Sequence, residues 1–164
     1  MRSASLVPFA ACLLLLPLTG AAHGQSRGPG SPQQPPQQLP LEAQWCLESQ
    51  ACILLEVADQ PEEQRLGLQL RGRLDRLRGM WFPFTPAQVL RFWMHRTPQP
   101  LDMVFIRGGR VLAIQEAAAP CPHLPCRSYG PDEDADGVVE LAAGEAARLG
   151  ITVGSAVLIR PLGP

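Results

Sequence analysis

The stretch Val89–Ile106, VLRFWMHRTPQPLDMVFI, constrains the fold more than any other part of the chain. Two apolar runs, VLRFWM and LDMVFI, flank the turn-forming HRTPQP. In the first run Leu90, Phe92 and Met94 share one face, and Val89, Arg91 and Trp93 share the other. In the second, Leu101, Met103 and Phe105 alternate with Asp102, Val104 and Ile106. Alternation at a period of two marks strands, and a run apolar on both faces belongs inside a sheet. Asp102 therefore falls on a buried strand, where its carboxylate must be hydrogen-bonded, paired or protonated. Arg107-Gly108-Gly109-Arg110 predicts a tight hairpin turn, with Val111 to Glu116 returning as the next strand.

Ahead of this stretch the chain changes character twice. Met1-Arg2 gives a short positive start, Leu6 to Leu18 is an apolar core broken by Pro8 and Pro17, and Gly20-Ala21-Ala22 supplies small residues. This is the pattern of a cleaved leader, read as residues 1–22. Cys12 lies inside that apolar core. Residues 23–41 then form a Pro/Gln-rich stretch with almost nothing to bury, so a disordered, partly stiff linker is expected. A single folded domain is expected at 42–160, followed by a tail at 161–164. With 164 residues and 46 % apolar types, the chain can build one real core and not two.

Within the domain, Cys46 and Cys52 flank a polar turn and predict a β-hairpin, with Ile53 to Val57 as its second strand. Cross-strand partners lie about 5 Å apart, close enough for a disulfide. A short helix is expected next, with Asp59 as cap, Pro61 in its first turn, Leu66 and Leu70 as its apolar stripe and Gly72 as its end. Met80 to Phe84 reads as an edge strand because Pro83 cannot donate to a ladder. An acidic loop, PDEDADG, precedes a strand at Val138 to Leu141. Gly144 to Leu149 reads as a short helix, and Ala156 to Arg160 as the last strand. Many short strands with frequent Pro/Gly turns argue for a mainly β domain, a sandwich or barrel.

Trp93-Met94, Thr97, Pro100 and Leu101-Asp102-Met103-Val104-Phe105-Ile106 together resemble the hallmark of domain-of-unknown-function family 192. The similarity extends to Glu63 through Gly67-Leu68 (with Gln69 where Met is usual), Gly79-Met80, Pro120-Cys121, Cys126, Tyr129, Glu140-Leu141, Gly144 and Gly150-Ile151. It covers nearly all of residues 42–160. The resemblance implies a small, often exported, jelly-roll-like β-sandwich with one or two short helices. It implies no reaction, because the family has no established activity.

Several classes of chemistry can be weighed on the residues. Formal net charge is −1, which offers no basic field for nucleic acid. All 14 basic residues are Arg, so a catalytic Lys is excluded. Four cysteines remain after leader removal. An even count in a small exported domain reads as disulfides; three pairings are possible, and the local pairs Cys46–Cys52 and Cys121–Cys126 are the expected ones. Each such short ring stabilises by roughly 2 kcal/mol on the loop-entropy relation. Cys121, His123 and Cys126 form C-x-H-x-x-C, a weak alternative metal site for which Met94 and His95 are further soft ligands. Asp132, Asp134, Asp136, Gly137 and Glu140 resemble the start of a calcium loop, but Ala143 stands where the bidentate Glu is needed.

Asp102, Glu116, Tyr129 and Glu140 are the candidates for acid/base work. Carboxylates in such places more often hold loops through backbone or Arg bonds. Trp81, Phe82, Trp93, Met94, His95 and Arg96 are the candidates for a binding groove. The leading reading is an exported binding or accessory module, periplasmic or extracellular and monomeric. It would take a small-molecule, glycan or peptide ligand, with no cofactor, no nucleic acid and no stable membrane span after leader cleavage. A small extracytoplasmic enzyme using Asp102 or Glu140, and a metal-handling protein using the Cys121-His123-Cys126 loop, are the alternatives. Intact mass of the exported protein is expected to show loss of residues 1–22 and no alkylatable thiol; a free Cys121 or Cys126 would overturn the disulfide expectation.

Overall fold

The computed structural model describes residues 35–163. The expected leader at 1–22, Cys12, the first part of the linker and Pro164 lie outside the described residues. The chain order is β1 (Leu41–Cys46), β2 (Cys52–Val57), α1 (Pro61–Leu66), β3 (Arg78–Val89), β4 (Phe92–Trp93), β5 (Leu101–Arg107), β6 (Arg110–Ala118), β7 (Ser128–Tyr129), β8 (Asp134–Ala142), α2 (Glu145–Arg148) and β9 (Ile159–Pro161). Seven strands form one sheet in the order β6-β5-β8-β3-β2-β1-β9, and β4 pairs with β7 in a small second sheet. The domain is mainly β with two short helices, as expected.

The β1–β2 hairpin places Cys46 opposite Cys52, and the two are disulfide-bonded. The β2–β3 pair is parallel, which requires a long crossover; residues 58–77 supply it and carry α1. All other strand pairs are antiparallel. The central strands bury both faces. Leu101, Met103 and Phe105 of β5 join Met80, Phe82, Val138 and Ala142 in one core cluster. Val104 and Ile106 join Trp45, Ile53, Leu55, Val139 and Leu141 in a second cluster on the opposite face. The first cluster is covered by β4, β7 and the crossover, which is the sandwich-like layering.

The second cluster is covered by α2 and the segment after it, which contribute Ala146, Leu149, Ile151 and Val157. Val111 N–H of β6 donates to Ser155 O at 3.0 Å, and Val157 N–H donates to Gly109 O at 2.8 Å. A few residues on, β9 pairs with β1 at the other end of the sheet. One segment thus touches both ends.

Several local expectations are corrected. The helix cap is Gln60, not Asp59, because the residue before Pro61 is held extended, at φ −91° and ψ 145°. Glu63 accepts from Gln60 N–H at 3.1 Å, closing the first turn. The helix ends at Gly67 with φ +46°, so Leu68 is buried while Leu70 is 39 % exposed. The stripe of Leu66 and Leu70 is therefore replaced by the single anchor Leu68. β3 is an interior strand rather than an edge. Its pairing with β2 stops at Trp81, so Pro83 lies beyond the last bond it would have had to make on that side. Its β8 register breaks between Pro83 and Gln88. Val89 closes β3 and only Phe92–Trp93 continue as strand, yet Leu90 and Met94 are buried and Val89 and Trp93 exposed, as the alternation requires.

The acidic stretch is the start of β8, not a free loop. Asp132 pairs with Arg91 at 2.5 Å, and Asp136 accepts from Gly108 N–H at 2.6 Å. The carboxylates of the supposed calcium loop are drawn to separate protein partners. The last strand is the shorter β9, because Ala156 and Val157 bond to the β6 side instead. Pro161, assigned to the tail, closes β9. The linker also ends early. Gln37 Nε2 donates to Glu63 O at 2.8 Å and Gly67 O at 2.9 Å, Leu39 N–H donates to Glu56 at 2.9 Å, and Leu41 opens β1.

Gly137 shows how tightly the neighbouring strands β3 and β8 are packed. A Cβ there would lie 1.9 Å from the Trp81 ring, an overlap that the indole cannot relieve without leaving its place between strands. Gly137→Ala is expected to destabilise the domain by about 1–3 kcal/mol in chemical denaturation. An unchanged midpoint would mean that Trp81 does not hold this position.

Candidate functional site

Four buried or half-buried carboxyls decide what chemistry the fold can do. Asp102, 1 % exposed, uses both oxygens on backbone: Oδ1 accepts from Ala117 N–H at 2.9 Å and Oδ2 from Ala146 N–H at 3.0 Å. It ties the bulged end of β6 to the first turn of α2, whose N-cap, Gly144, has no side chain to cap with. Glu56 pairs with Arg71 at 2.6 Å and accepts from Leu39 N–H. Glu145 accepts from Leu77 N–H at 2.9 Å and from Arg148, whose guanidinium hydrogen bond holds the Glu145 carboxyl below the usual range. These three carboxyls are each met by donors of the protein.

Glu140 differs. It stands mid-strand in β8, between Met80 of β3 and Met103 of β5, and is 5 % exposed. Among the described residues no protein group donates to its carboxyl or pairs with it. Burial alone pushes its pKa up to about 8, so the neutral acid is the resting form at pH 7. Asp102 pairs in register with Leu141, one residue along, and so faces the opposite side of the sheet. Asp102 and Glu140 cannot act as a carboxylate pair.

Glu140 lines a small cleft, with a cavity volume of about 30 Å³, together with Phe82, Phe92, Trp93, Thr97 and the chain from Gln64 to Gln69. The α1 C-terminus bends at Gly67 to form one wall; a Cβ on Gly67 would meet the Phe82 ring at 3.4 Å. Phe92 forms another wall, edge-on to Phe82, Phe84 and Phe105 with ring centres 5.1, 6.3 and 6.1 Å apart. Trp93, 46 % exposed, stands at the cleft with His95 beside it, ring centres 5.3 Å apart.

The other sequence candidates separate around this cleft. Phe82 and Trp93 line it. Met94 is buried in the core, and Trp81 packs on the far face of the sheet. Arg96 lines a neighbouring hollow with Pro35 and Gln37. Glu116 is exposed on β6, and Tyr129 is half of the β4–β7 pair, with Arg127 over its ring at 5.1 Å. The Cys121 loop does meet the Met94–Arg96 stretch: Cys121 N–H donates to Met94 O at 3.1 Å and Arg96 N–H to Cys121 O at 3.0 Å. Cys121 and Cys126 are disulfide-bonded, however, which removes the thiolates that a metal would need. The C-x-H-x-x-C metal reading is corrected on that ground. Gln64, Leu66 to Gln69, Phe92 and Thr97 were not foreseen as site residues, although Gly67, Leu68 and Thr97 belong to the family pattern.

The profile of DUF192, described as Uncharacterized ACR, matches residues 44–159. Two crystal structures are similar. One is "a putative transcription regulator" from Sinorhizobium meliloti 1021, at 28 % identity and TM-score 0.63, covering 73 % of this chain and 92 % of its own. The other is a protein of unknown function from Novosphingobium aromaticivorans DSM 12444, at 31 % identity and TM-score 0.64, covering 71 % and 83 %. No curated protein matches.

The Glu140 carboxyl is protonated in the folded state up to about pH 8 but loses its proton near pH 4.5 when unfolded. Between those values the folded state binds the extra proton, so stability falls as pH rises, by about 1.4 kcal/mol per pH unit, and levels above pH 8. Glu140→Gln is expected to remove this slope in denaturation midpoints measured across that range. An identical slope in the variant would place the titration elsewhere.

Proposed function

Since the chain belongs to the DUF192 family, which is uncharacterised and supplies a fold without a reaction, we propose that it is an exported binding or accessory module whose ligand enters the Glu140 cleft. The observation that carries the reading is the unpartnered carboxyl itself. A carboxyl kept almost out of water, with no protein donor and open only to the cleft, is a group that function explains and packing does not. The cleft is small and concave, with aromatic walls and several polar side chains around the Glu140 carboxyl, a composition that suits a small ligand group. In this reading residues 1–22 are a leader removed on export, and the Pro/Gln-rich stretch is the extended N-terminal segment of the mature protein. Two disulfides in so short a domain suit an oxidising compartment. No helix among the described residues is long and apolar enough to cross a membrane.

The regulator description of the Sinorhizobium protein does not carry over to DNA contact here. A formal net charge of −1 gives no field for a phosphate backbone. Acid/base catalysis by an Asp102–Glu140 pair is not part of the reading, because the two lie on opposite faces.

A fragment library screened by ligand-observed NMR against the mature protein tests the proposal. Hits are expected to change Trp93 emission and to bind at least tenfold more weakly to Trp93→Ala and Glu140→Ala, with the fold retained by circular dichroism. Hits indifferent to both substitutions would sink the assignment of the cleft.

A further inference from the structure

We infer that the Glu140 cleft is built for a small alkylammonium ligand, whose cationic head would sit against the Glu140 carboxyl between aromatic walls. This rests on the binding reading above and names the ligand's chemistry.

The argument comes from what the cleft offers. The other buried carboxyls, Glu56, Asp102 and Glu145, are each met by an Arg or by backbone N–H groups, as described above. Among the described residues Glu140 is the buried carboxyl left without a donor. Its polar neighbours also leave acceptors available. Gln64 Nε2 donates to Pro83 O at 3.0 Å and Gln69 Nε2 to Arg65 O at 2.9 Å, and each amide keeps its oxygen for a further partner. Thr97 Oγ1 donates to His95 O at 3.5 Å, leaving its lone pairs. Phe82, Phe92 and Trp93 contribute ring surface, which attracts cations. A positively charged ligand with N–H donors complements the Glu140 carboxylate, the amide oxygens and the ring surfaces.

The charged surroundings agree. Across the strands Glu140 faces Met80 and Met103, which carry no charge. From α1 the cleft is lined by Arg65, whose guanidinium is held by Glu62 at 2.5 Å on the exposed side of the helix. From the segment after β4 comes His95, next to Trp93. Below its raised pKa the site holds a neutral acid, so binding a cation drives Glu140 to give its proton to solvent. One neutral carboxyl and one ammonium become an ion pair plus one released proton. No other bond changes.

Isothermal titration of the mature protein with butylammonium, butanol and butyrate separates the possibilities. Butylammonium is expected to bind, to release about one proton as read from buffers of different ionisation enthalpy, and to weaken about tenfold per unit of pH below about 8. Glu140→Gln is expected to weaken it at least tenfold and abolish the pH dependence. Trp93→Ala, at an exposed position, is expected to weaken it severalfold while leaving the pH dependence. Butylammonium binding that is unchanged in Glu140→Gln overturns the inference. Binding of butanol or butyrate with butylammonium excluded overturns the cationic ligand but leaves a binding cleft. Failure of all three at millimolar concentration overturns both.

Discussion

One carboxylate fixes the relation of three separate parts of the fold. Asp102 sits on a central strand and gives one oxygen to the backbone of β6 and the other to the first turn of α2. The β5–β6 pairing is bulged there, with Ala117 at φ +44°, and α2 begins from a glycine that cannot cap it. Both are positions where a backbone N–H has no partner from regular pairing, and at buried Ala146 it would otherwise go unsatisfied. An acid among apolar neighbours is therefore what lets the sheet bend and the helix start at that end of the core. The acid's place in the sequence, inside an otherwise apolar strand, follows from that duty.

The strands at Val89–Ile106 were legible because alternation is a local property: each side chain's face follows from its neighbours two residues away. The hairpin at Cys46 and Cys52 was legible for the same reason, and the two-glycine turn at Gly108-Gly109 has the positive φ values, +55° and +73°, that its sequence asks for. What stayed hidden depended on distant parts of the chain. Nothing near Pro83 says that β2 will run parallel beside β3 and stop just short of it. Nothing near Ala156 says that this residue will bridge to Arg110 instead of extending the final strand. Gln37 looked like linker because its partners, Glu63 and Gly67 carbonyls, lie far along the chain.

The site was half legible. Glu140 could be singled out as an acid in a strand, and so could Asp102 and Glu116, but sequence alone ranks the three alike. Only register separates them: Glu140 opposite Met103, Asp102 opposite Leu141, and Glu116 on the outside. The same acid is a strut on one face and an unpartnered group on the other. The wall formed by Gln64 to Gln69 was read as a helix running on toward Gly72. The turn at Gly67 stops it early and converts its last residues into lining.

The segment from Gly154 to Pro161 leaves the sheet with unequal margins. At one margin β9 is three residues long and ends in a proline, so it presents little ladder to another chain. At the other, the contacts from Gly154, Ser155 and Val157 reach β6 only as far as Val111. Beyond that, the outer rim of β6 is a ladder edge where a foreign strand could add. Glu116, which has no place in the cleft, lies exposed on this rim, and a charge there discourages such pairing. A single side chain so placed opposes sheet-to-sheet joining of copies without touching the cleft.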